Sequence, residues 1–316
     1  MSMIARHIFL LLLMPPLAFG QTSETLTDST GVRVLKGTLL LPASPSRTVV
    51  LIIAGSGPTD RNGNQVMLQS DYLKKVAEEL QALGIASFRY DKRGVGESRM
   101  TNANEEAVLF NDFVADGVAW IKQLKSDKRF KKIIVLGHSE GSLVGMLACQ
   151  RIPPAGFISI AGIGRPLDAV LKEQLTSNPY NSTGIIDQSF MIIDSLKAGH
   201  RVKRISPILS ALFRPSVQPF LISVFQYNPT VEIGKLKIPV QIVQGTTDIQ
   251  VAVRDAELLR AAQPTATFSI IPEMNHVLRE APADRMLNLS TYSRGDLPLA
   301  PGLVPALVSF IQSFAK

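Results

Sequence analysis

The sequence predicts an α/β fold: a mainly parallel, doubly wound sheet with an inserted helical cap. Short apolar, β-branched segments alternate along the chain with segments of helical periodicity, a pattern typical of a parallel sheet flanked by helices. One interval, residues 165–236, breaks the alternation because helical patterns follow one another there without a strand. Connections between strands and helices are normally a few residues long. We therefore interpret this interval as the cap and expect the core to comprise residues 21–164 and 237–316.

The predicted strands share apolar runs bounded by turn-forming residues. They cover residues 32–41, 48–54, 85–90, the apolar segment after Lys132, 156–161, 240–245 and 267–271. Predicted helices have apolar residues at helical spacing. They cover residues 69–83, 111–124, the segment after Gly141 and 303–314 in the core, and 167–175, 185–196, 208–213 and 218–227 in the cap. The first strand alternates loosely and ends at Pro42, so we expect an antiparallel edge strand or hairpin.

Residues 1–20 have the pattern of a secretory signal peptide. A basic start at Arg6 precedes the apolar run 8–14, and Ala18 and Gly20 are small residues at the −3 and −1 positions of a cut after Gly20. The apolar run is short for a transmembrane span, although an uncleaved N-terminal anchor is the alternative. We expect export to the periplasm or the medium of a bacterial cell, with no stable membrane insertion once the signal is removed.

Composition and motifs argue against several functional classes. The chain has 33 Lys and Arg against 26 Asp and Glu, a net charge of +7, but its basic residues are dispersed without interleaved aromatics, so nucleic-acid binding is not expected. The loop at Gly55 fails the GxGxxG pattern because Asp60 occupies the third glycine position. The sequence also lacks a Walker lysine and the HExxH and CxxC motifs. We therefore expect no metal or cofactor.

The segment around Ser139 predicts a nucleophilic serine. A buried strand runs from Lys132 into Gly137-His-Ser-Glu-Gly141, and a helical pattern follows at once. A serine at such a strand-to-helix turn lies in a strained backbone, and the residues two before and two after it must be small because strand and helix nearly collide. Gly137 and Gly141 meet that requirement.

A general base for Ser139 is found by elimination among four histidines. His7 lies in the predicted signal, His138 adjoins the serine and is expected to point away from it, and His200 lies in the cap. His276, just after the last predicted strand, remains. A serine hydroxyl needs such a base to accept its proton.

The base in turn needs a carboxylate that fixes its tautomer and stabilises the imidazolium. Asp248 lies in the loop after the preceding predicted strand and is our first choice. Asp255 and Glu257 are the alternatives, but both fall in the next helix, where a solvated face explains them.

With these residues identified, the chain resembles the α/β-hydrolase superfamily, and within it bacterial esterases and the serine-aminopeptidase-like group. The order Ser, Asp, His along the chain is that of α/β-hydrolases. The matching motifs are Ala54-Gly-Ser-Gly-Pro-Thr-Asp-Arg-Asn-Gly-Asn64, Arg89-Tyr-Asp-Lys-Arg-Gly-Val-Gly-Glu-Ser98, Gly137-His-Ser-Glu-Gly141, Gly245-Thr-Thr-Asp248 and Asn275-His276.

The resemblance implies an oxyanion hole made by the backbone N–H groups of Glu140 and Ser56. Ala54 stands where the family usually has a histidine before the glycine. The segment Tyr90-Asp-Lys-Arg-Gly94 matches the turn that follows the fourth strand in that superfamily, and we assign it a structural role. Asp60 and Arg61 either shape the oxyanion loop through an ion pair or touch the substrate.

These features together predict a secreted serine hydrolase that cleaves small-molecule carboxylic esters of small or medium acyl groups through an acyl-enzyme. A serine aminopeptidase, amidase or thioesterase would use the same machinery, and a binding protein on a hydrolase scaffold is a remote alternative. An aminopeptidase must pair the substrate ammonium with a carboxylate, for which Glu140 and the cap residues Asp168, Glu173, Asp187 and Asp194 are candidates. The apolar residues of the cap are more numerous and either line an acyl pocket, which favours an ester substrate, or pack the cap against the core. They are Leu171, Leu175, Ile185, Phe190, Ile193, Phe220 and Phe225.

Overall fold

A computed structural model describes residues 20–27, 33–100 and 104–314. The predicted signal peptide therefore lies outside the described residues, apart from Gly20. Nine strands occur within the described ranges: β1 (Gln21–Thr27), β2 (Arg33–Leu40), β3 (Thr48–Ile53), β4 (Ala86–Tyr90), β5 (Arg99–Met100), β6 (Lys132–His138), β7 (Gly156–Ile160), β8 (Val240–Gly245) and β9 (Thr267–Ile271).

All strands belong to one sheet with the order β1-β2-β4-β3-β6-β7-β8-β9, and β5 pairs with β2. The pairs from β4 to β9 are parallel, whereas β2 is antiparallel to β1, β4 and β5. The predicted mainly parallel sheet is therefore confirmed, and the strand predicted at residues 32–41 is antiparallel as expected. Its hairpin partner β1 was not predicted, since the segment after Gly20 is polar and lacks a clear apolar alternation.

The described α-helices flank and connect these strands. They are α1 (Tyr72–Ala82), α2 (Phe110–Ser126), α3 (Glu140–Arg151), α4 (Leu167–Ser177), α5 (Thr183–Lys197), α6 (Ser210–Phe213), α7 (Gln218–Val224), α8 (Pro229–Gly234), α9 (Val253–Ala262), α10 (Arg285–Ser290) and α11 (Leu303–Gln312). None of them is long and apolar enough to cross a membrane, within the part of the chain that is described.

The parallel sheet is buried on both faces, which explains why the sequences of its strands are continuously apolar. In β3, Val49, Leu51 and Ile53 contribute to one apolar cluster, whereas Val50 and Ile52 contribute to another, because successive side chains point to opposite faces. Helices α1 and α11 cover the second cluster, and α2, α3 and α9 cover the first. The sheet is thus doubly wound.

The interval predicted as a cap contains helices α4 to α8 between β7 and β8. Their apolar residues, including Ile193, Phe213 and Phe225, belong to the same buried cluster as Trp120 on α2. Trp120 itself is fully buried, and its ring centroid lies 4.4 Å from that of Phe88 on β4. The inserted helices therefore share one apolar core with the first face of the sheet.

Candidate active site

Ser139 sits at the apex of a tight turn between β6 and α3. Its φ and ψ are 54° and −123°, a region that non-glycine residues rarely adopt and that is typically found at functional sites. A Cβ atom on Gly137 would lie 2.2 Å from the carbonyl oxygen of Gly141, and one on Gly141 would lie 2.4 Å from that of Ile53. The close approach of strand and helix predicted from the sequence is therefore present, and only glycine fits at these two positions.

His276 and Asp248 are hydrogen-bonded to each other. His276 Nδ1 lies 2.8 Å from Asp248 Oδ2. The other carboxylate oxygen, Oδ1, accepts hydrogen bonds from the backbone N–H groups of Gln250 at 2.8 Å and Val251 at 2.9 Å. These contacts fix the carboxylate and leave Nε2 as the ring nitrogen of His276 that can exchange a proton with a substrate or a nucleophile.

Burial alone would raise the pKa of Asp248, since a charged carboxylate loses its hydration. The neighbouring His276 and the two backbone N–H groups outweigh that effect, so the pKa of Asp248 lies below its ordinary value. Asp248 is therefore held as a carboxylate, the form that can orient a histidine and stabilise its protonated state.

Ser139 and His276 line the same cavity of about 280 Å³, together with Ser56 and Gly55. The described residues show no hydrogen bond between Ser139 Oγ and His276 Nε2, and such contacts are often long before a substrate binds. The cavity lies where β3, β6, β8 and β9 end at their carboxyl termini, the usual position of binding sites in open α/β sheets.

The predicted oxyanion hole consists of two backbone N–H groups that flank Ser139 in the fold. Glu140 is the first residue of α3, so its N–H has no partner within the helix. Ser56 lies in the loop after β3, and its neighbour Gly55 packs against Ser139: a Cβ on Gly55 would lie 3.1 Å from Ser139 Cβ. Neither N–H donates to another described residue. Both are available to an oxyanion near Ser139.

His138 has a role that the sequence did not reveal. The residue is buried and contributes to the lining of the cavity. Its Nε2 lies 2.8 Å from the backbone carbonyl of His276, and its Nδ1 lies 3.1 Å from the hydroxyl of Tyr72. A carbonyl only accepts, so Nε2 carries the proton and Nδ1 accepts from Tyr72.

Burial, followed by repulsion from His276, lowers the pKa of His138 to about 3. His138 is therefore a neutral side chain that holds the main chain of the proposed base. The only sequence feature that could have pointed to His138 is its position next to Ser139. No sequence pattern predicts its contacts with Tyr72 or with residue 276.

The alternatives to Asp248 are occupied elsewhere. Asp255 is fully buried and pairs with Arg165 at 2.6 Å, whereas Glu257 is exposed on α9. Neither is hydrogen-bonded to His276 among the described residues. The geometry therefore favours Asp248.

Asp60 and Arg61 support the architecture of the loop after β3. Asp60 Oδ1 accepts from the backbone N–H groups of Asn62 and Asn64, both at 2.8 Å. Arg61 pairs with Asp91 at 2.6 Å and with Glu97 at 2.5 Å. Neither residue lines the cavity, so the contacts favour the structural alternative over contact with a substrate.

The cavity is not lined by the cap residues that were expected to form an acyl pocket. Leu171, Ile193 and Phe225 are buried in the shared core, and Leu175, Ile185 and Phe220 pack against it. The inserted helices contribute Leu212 to the cavity instead. Packing of the cap against the core, the alternative use of these apolar residues, therefore accounts for these six, because apolar side chains on helices first satisfy the packing of helix against sheet.

The candidate carboxylates of the cap are engaged or exposed. Asp168 pairs with Lys197 at 2.9 Å, Asp194 pairs with Lys172 at 2.5 Å and Glu173 pairs with Arg165. Asp187 is exposed on α5. No Asp or Glu lines the cavity within the described residues. Nor do those residues contain a cluster of three or more His, Cys, Asp or Glu that could hold a metal ion.

Comparisons with known proteins agree with this architecture. Residues 68–177 match the family model described as serine aminopeptidase, S33. Esterase EstD of Thermotoga maritima is 26% identical over 270 residues. The alignment covers 83% of this chain and 61% of the relative, so the chain spans less than two thirds of that protein's length.

Solved structures show the same fold at low sequence identity. Est1E from Butyrivibrio proteoclasticus is 17% identical, with a TM-score of 0.59 and coverage of 93% of this chain and 99% of that structure. An esterase from Pyrococcus furiosus is 15% identical, with a TM-score of 0.60 and coverage of 95% and 92%. The chain therefore has the α/β-hydrolase fold, and its sequence is similar to a serine-aminopeptidase family model over residues 68–177 and to an esterase over 270 residues.

Proposed function

We propose that the protein is a serine hydrolase that cleaves carboxylic esters of small or medium acyl groups without a metal or cofactor. The observation that carries the proposal is the convergence of Ser139, His276 and Asp248, with the Asp248–His276 hydrogen bond of 2.8 Å already formed and Ser139 on the same cavity. Similarity to Esterase EstD supports the ester class.

The proposed reaction proceeds through an acyl-enzyme. Ser139 Oγ attacks the ester carbonyl carbon, and its proton passes to His276 Nε2. The developing oxyanion accepts hydrogen bonds from the N–H groups of Glu140 and Ser56, each of which typically contributes about 3 kcal/mol to the transition state. The carbon–oxygen bond to the leaving alcohol then breaks, and the alcohol takes the proton from His276. A water molecule then attacks the acyl carbon while His276 Nε2 takes its proton. The bond between the acyl carbon and Ser139 Oγ breaks, the acid leaves, and the proton passes from His276 to Ser139 Oγ.

An aminopeptidase is the second candidate, because the family model that matches residues 68–177 carries that description. A free α-ammonium needs a buried carboxylate partner. The described lining of the cavity contains none, and Glu140, the nearest in sequence to Ser139, interacts with Lys92 instead. These contacts support an ester substrate over an aminoacyl one.

The experiment compares p-nitrophenyl esters of graded chain length with aminoacyl p-nitroanilides. We expect kcat/KM to be far higher for the esters, and turnover to disappear in Ser139→Ala. Faster cleavage of the anilides, with selective loss of that activity in Glu140→Gln, would replace the esterase proposal by the peptidase one. Hydrolysis retained by purified Ser139→Ala would reject the mechanism itself.

We also propose that the protein is exported and that residues 1–20 are removed. The support is the basic, apolar and small-residue pattern of that segment. Intact-mass measurement of the protein recovered outside the cytoplasm tests it: we expect a mature N-terminus at Gln21. Recovery with Met1 retained would favour the membrane-anchored alternative.

A further inference from the structure

Lys92 is a buried cation next to the loop that bears Ser56. It lies in the turn after β4 and is 4% exposed. Its ammonium donates hydrogen bonds to the backbone carbonyls of Gly55 and of Gly57, the latter at 2.6 Å. The same ammonium lies 5.6 Å from the ring centroid of Phe113. A buried lysine that donates to two carbonyls flanking a single residue is well placed to fix that residue's orientation.

The contact to Gly55 determines where the Ser56 N–H points. In a trans peptide the C=O of one residue and the N–H of the next lie in one plane and point in opposite directions. Because the Gly55 carbonyl is directed at Lys92, the Ser56 N–H is directed away from it. The carbonyl of Ser56 is held separately by the Thr59 hydroxyl at 2.7 Å. Both peptide planes around Ser56 are therefore fixed.

The second proposed oxyanion donor is linked to the same lysine. Glu140, whose N–H begins α3, has a buried side chain that interacts electrostatically with Lys92. Lys92 thus donates hydrogen bonds to the loop after β3 and interacts electrostatically with Glu140 at the start of α3. These two segments meet at Ser139, where Gly55 packs against the nucleophile.

We propose that Lys92 is a positioning residue that aims the Ser56 N–H into the oxyanion hole and ties this loop to the start of α3. The inference rests on the proposed hydrolase function and adds to it a residue that the resemblance assigned only to a structural turn. Because the oxyanion forms only during reaction, loss of Lys92 should lower kcat more than it raises KM.

The ionisation of Lys92 supplies an independent readout. Burial lowers the pKa of Lys92 to about 8, and among the described residues Glu140 is the charged side chain that opposes this shift. The ammonium donates three hydrogens, whereas the neutral amine donates two and loses its charge. The activity of the wild-type protein should therefore fall as the pH rises through about 8. In a variant without Lys92, this fall in activity should be absent.

The test compares Lys92→Met, Lys92→Gln and a control, Lys74→Met. Lys74 is a lysine on α1 whose side chain is 44% exposed and whose ammonium lies 3.9 Å from Glu78 Oε1. We expect Lys92→Met to lower kcat for a p-nitrophenyl ester by about 10- to 100-fold, below the full loss of one oxyanion donor, with KM within about threefold. Lys92→Gln keeps a neutral hydrogen-bond donor, so its kcat should lie between those of the wild type and Lys92→Met. If Lys92→Met does not fold, Lys92→Gln is tested in its place. The control should match the wild type.

The pH profile of kcat separates positioning from a merely structural role. In the wild type and the Lys74→Met control, we expect kcat to fall as the pH rises through about 8. This fall should be absent in Lys92→Met. In Glu140→Gln it should occur at lower pH, because removing the carboxylate further disfavours the ammonium of Lys92. Kinetics of Lys92→Met within threefold of the control, or identical pH profiles for both, would overturn the inference while leaving the hydrolase proposal intact. A wild-type protein that hydrolyses no ester and whose Ser139 is not labelled by a fluorophosphonate would instead reject the hydrolase proposal, and the inference with it.

Discussion

Asp248 and Glu140 are both buried carboxylates near Ser139, yet their surroundings move their pKa values in opposite directions. Burial acts on both, but Asp248 faces His276 and two backbone N–H groups, which bring its pKa below the ordinary value. Glu140 has only Lys92 to oppose burial, and its pKa is raised. The two carboxyl groups therefore differ in their surroundings: Asp248 is hydrogen-bonded to the proposed base, and Glu140 interacts electrostatically with Lys92 beside the loop that bears Ser56.

Replacing Asp248 by asparagine should be severe although the side chain keeps its shape. An amide can donate to His276 Nδ1 and thereby favour the wrong tautomer, so we expect kcat to fall by about 10⁴-fold. Ester turnover by purified protein measures the effect, with Asp187→Asn on the exposed face of α5 as the control. Activity of Asp248→Asn within tenfold of the control would contradict the assignment.

His138 should act through its hydrogen bond to the carbonyl of His276. In His138→Leu the carbonyl of His276 and the hydroxyl of Tyr72 lose their partner, at a cost of about 1–3 kcal/mol in the free energy of unfolding. We also expect kcat to fall by about tenfold, because a small misplacement of the base slows the reaction. His138→Gln places an amide donor near the position of Nε2 and should recover part of kcat. Equal kcat in the leucine and glutamine variants would show that the hydrogen bond does not matter for catalysis.

The sequence predicted Ser139, His276 and Asp248 because their types, order and positions after strands are local features. The structure brings all three to one edge of the sheet. His138 and Lys92 could not be assigned in the same way, since each acts on a backbone carbonyl of a distant segment. Every residue has a backbone carbonyl, so the sequence does not indicate which carbonyl a side chain such as Lys92 or His138 contacts.

At the scale of secondary-structure elements, the turn between β6 and α3 depends on close backbone approach. Gly137→Ala would place its Cβ 2.2 Å from the carbonyl oxygen of Gly141, a contact that requires β6 and α3 to move apart. We expect the free energy of unfolding to fall by about 1–3 kcal/mol or more, together with loss of activity. Gly184→Ala in the first turn of α5 is the control, since its Cβ would meet no atom within 4 Å. Thermal unfolding that is the same for both variants would contradict this account of the turn.

The inserted helices should influence specificity through α6. Leu212 is the residue they contribute to the cavity, and a larger side chain there reduces the space for an acyl group. We expect Leu212→Trp to lower kcat/KM for longer p-nitrophenyl esters more than for the acetate. Phe225 was among the cap residues named from the sequence for an acyl pocket, whereas Leu212 was not, yet Phe225 lies in the core. Unchanged chain-length preference in Leu212→Trp would show that the acyl group does not bind towards α6.

Helix periodicity explains both the success and the failure of prediction in this region. Apolar spacing located α4, α5 and α7 to within a few residues of their observed bounds. The same spacing cannot distinguish an apolar residue that packs on the sheet from one that faces a cavity, because both are buried in apolar surroundings. Where a helix was predicted at residues 208–213, the structure has a 3₁₀ turn, Pro207–Leu209, followed by α6. This irregular segment places Leu212 at the cavity.

At the scale of the whole molecule, the site exists because the sheet is parallel. Strands β3, β6, β8 and β9 end at the same edge, so the loop with Ser56, the turn with Ser139 and the loops with Asp248 and His276 converge there although they are far apart in sequence. Alternation of strands and helices made this topology predictable. Substrate identity was not predictable, since it depends on how the inserted helices pack around the cavity.

The central claim is that Ser139 is a nucleophile activated by His276 and Asp248. Labelling with a fluorophosphonate, followed by intact-mass and peptide analysis, tests it most directly because the reagent reacts preferentially with an activated serine. We expect one label per chain, located on Ser139, with labelling abolished in Ser139→Ala and slowed by several orders of magnitude in His276→Ala. Absence of labelling in a folded wild-type protein, or a label on another residue that persists in Ser139→Ala, would contradict the account.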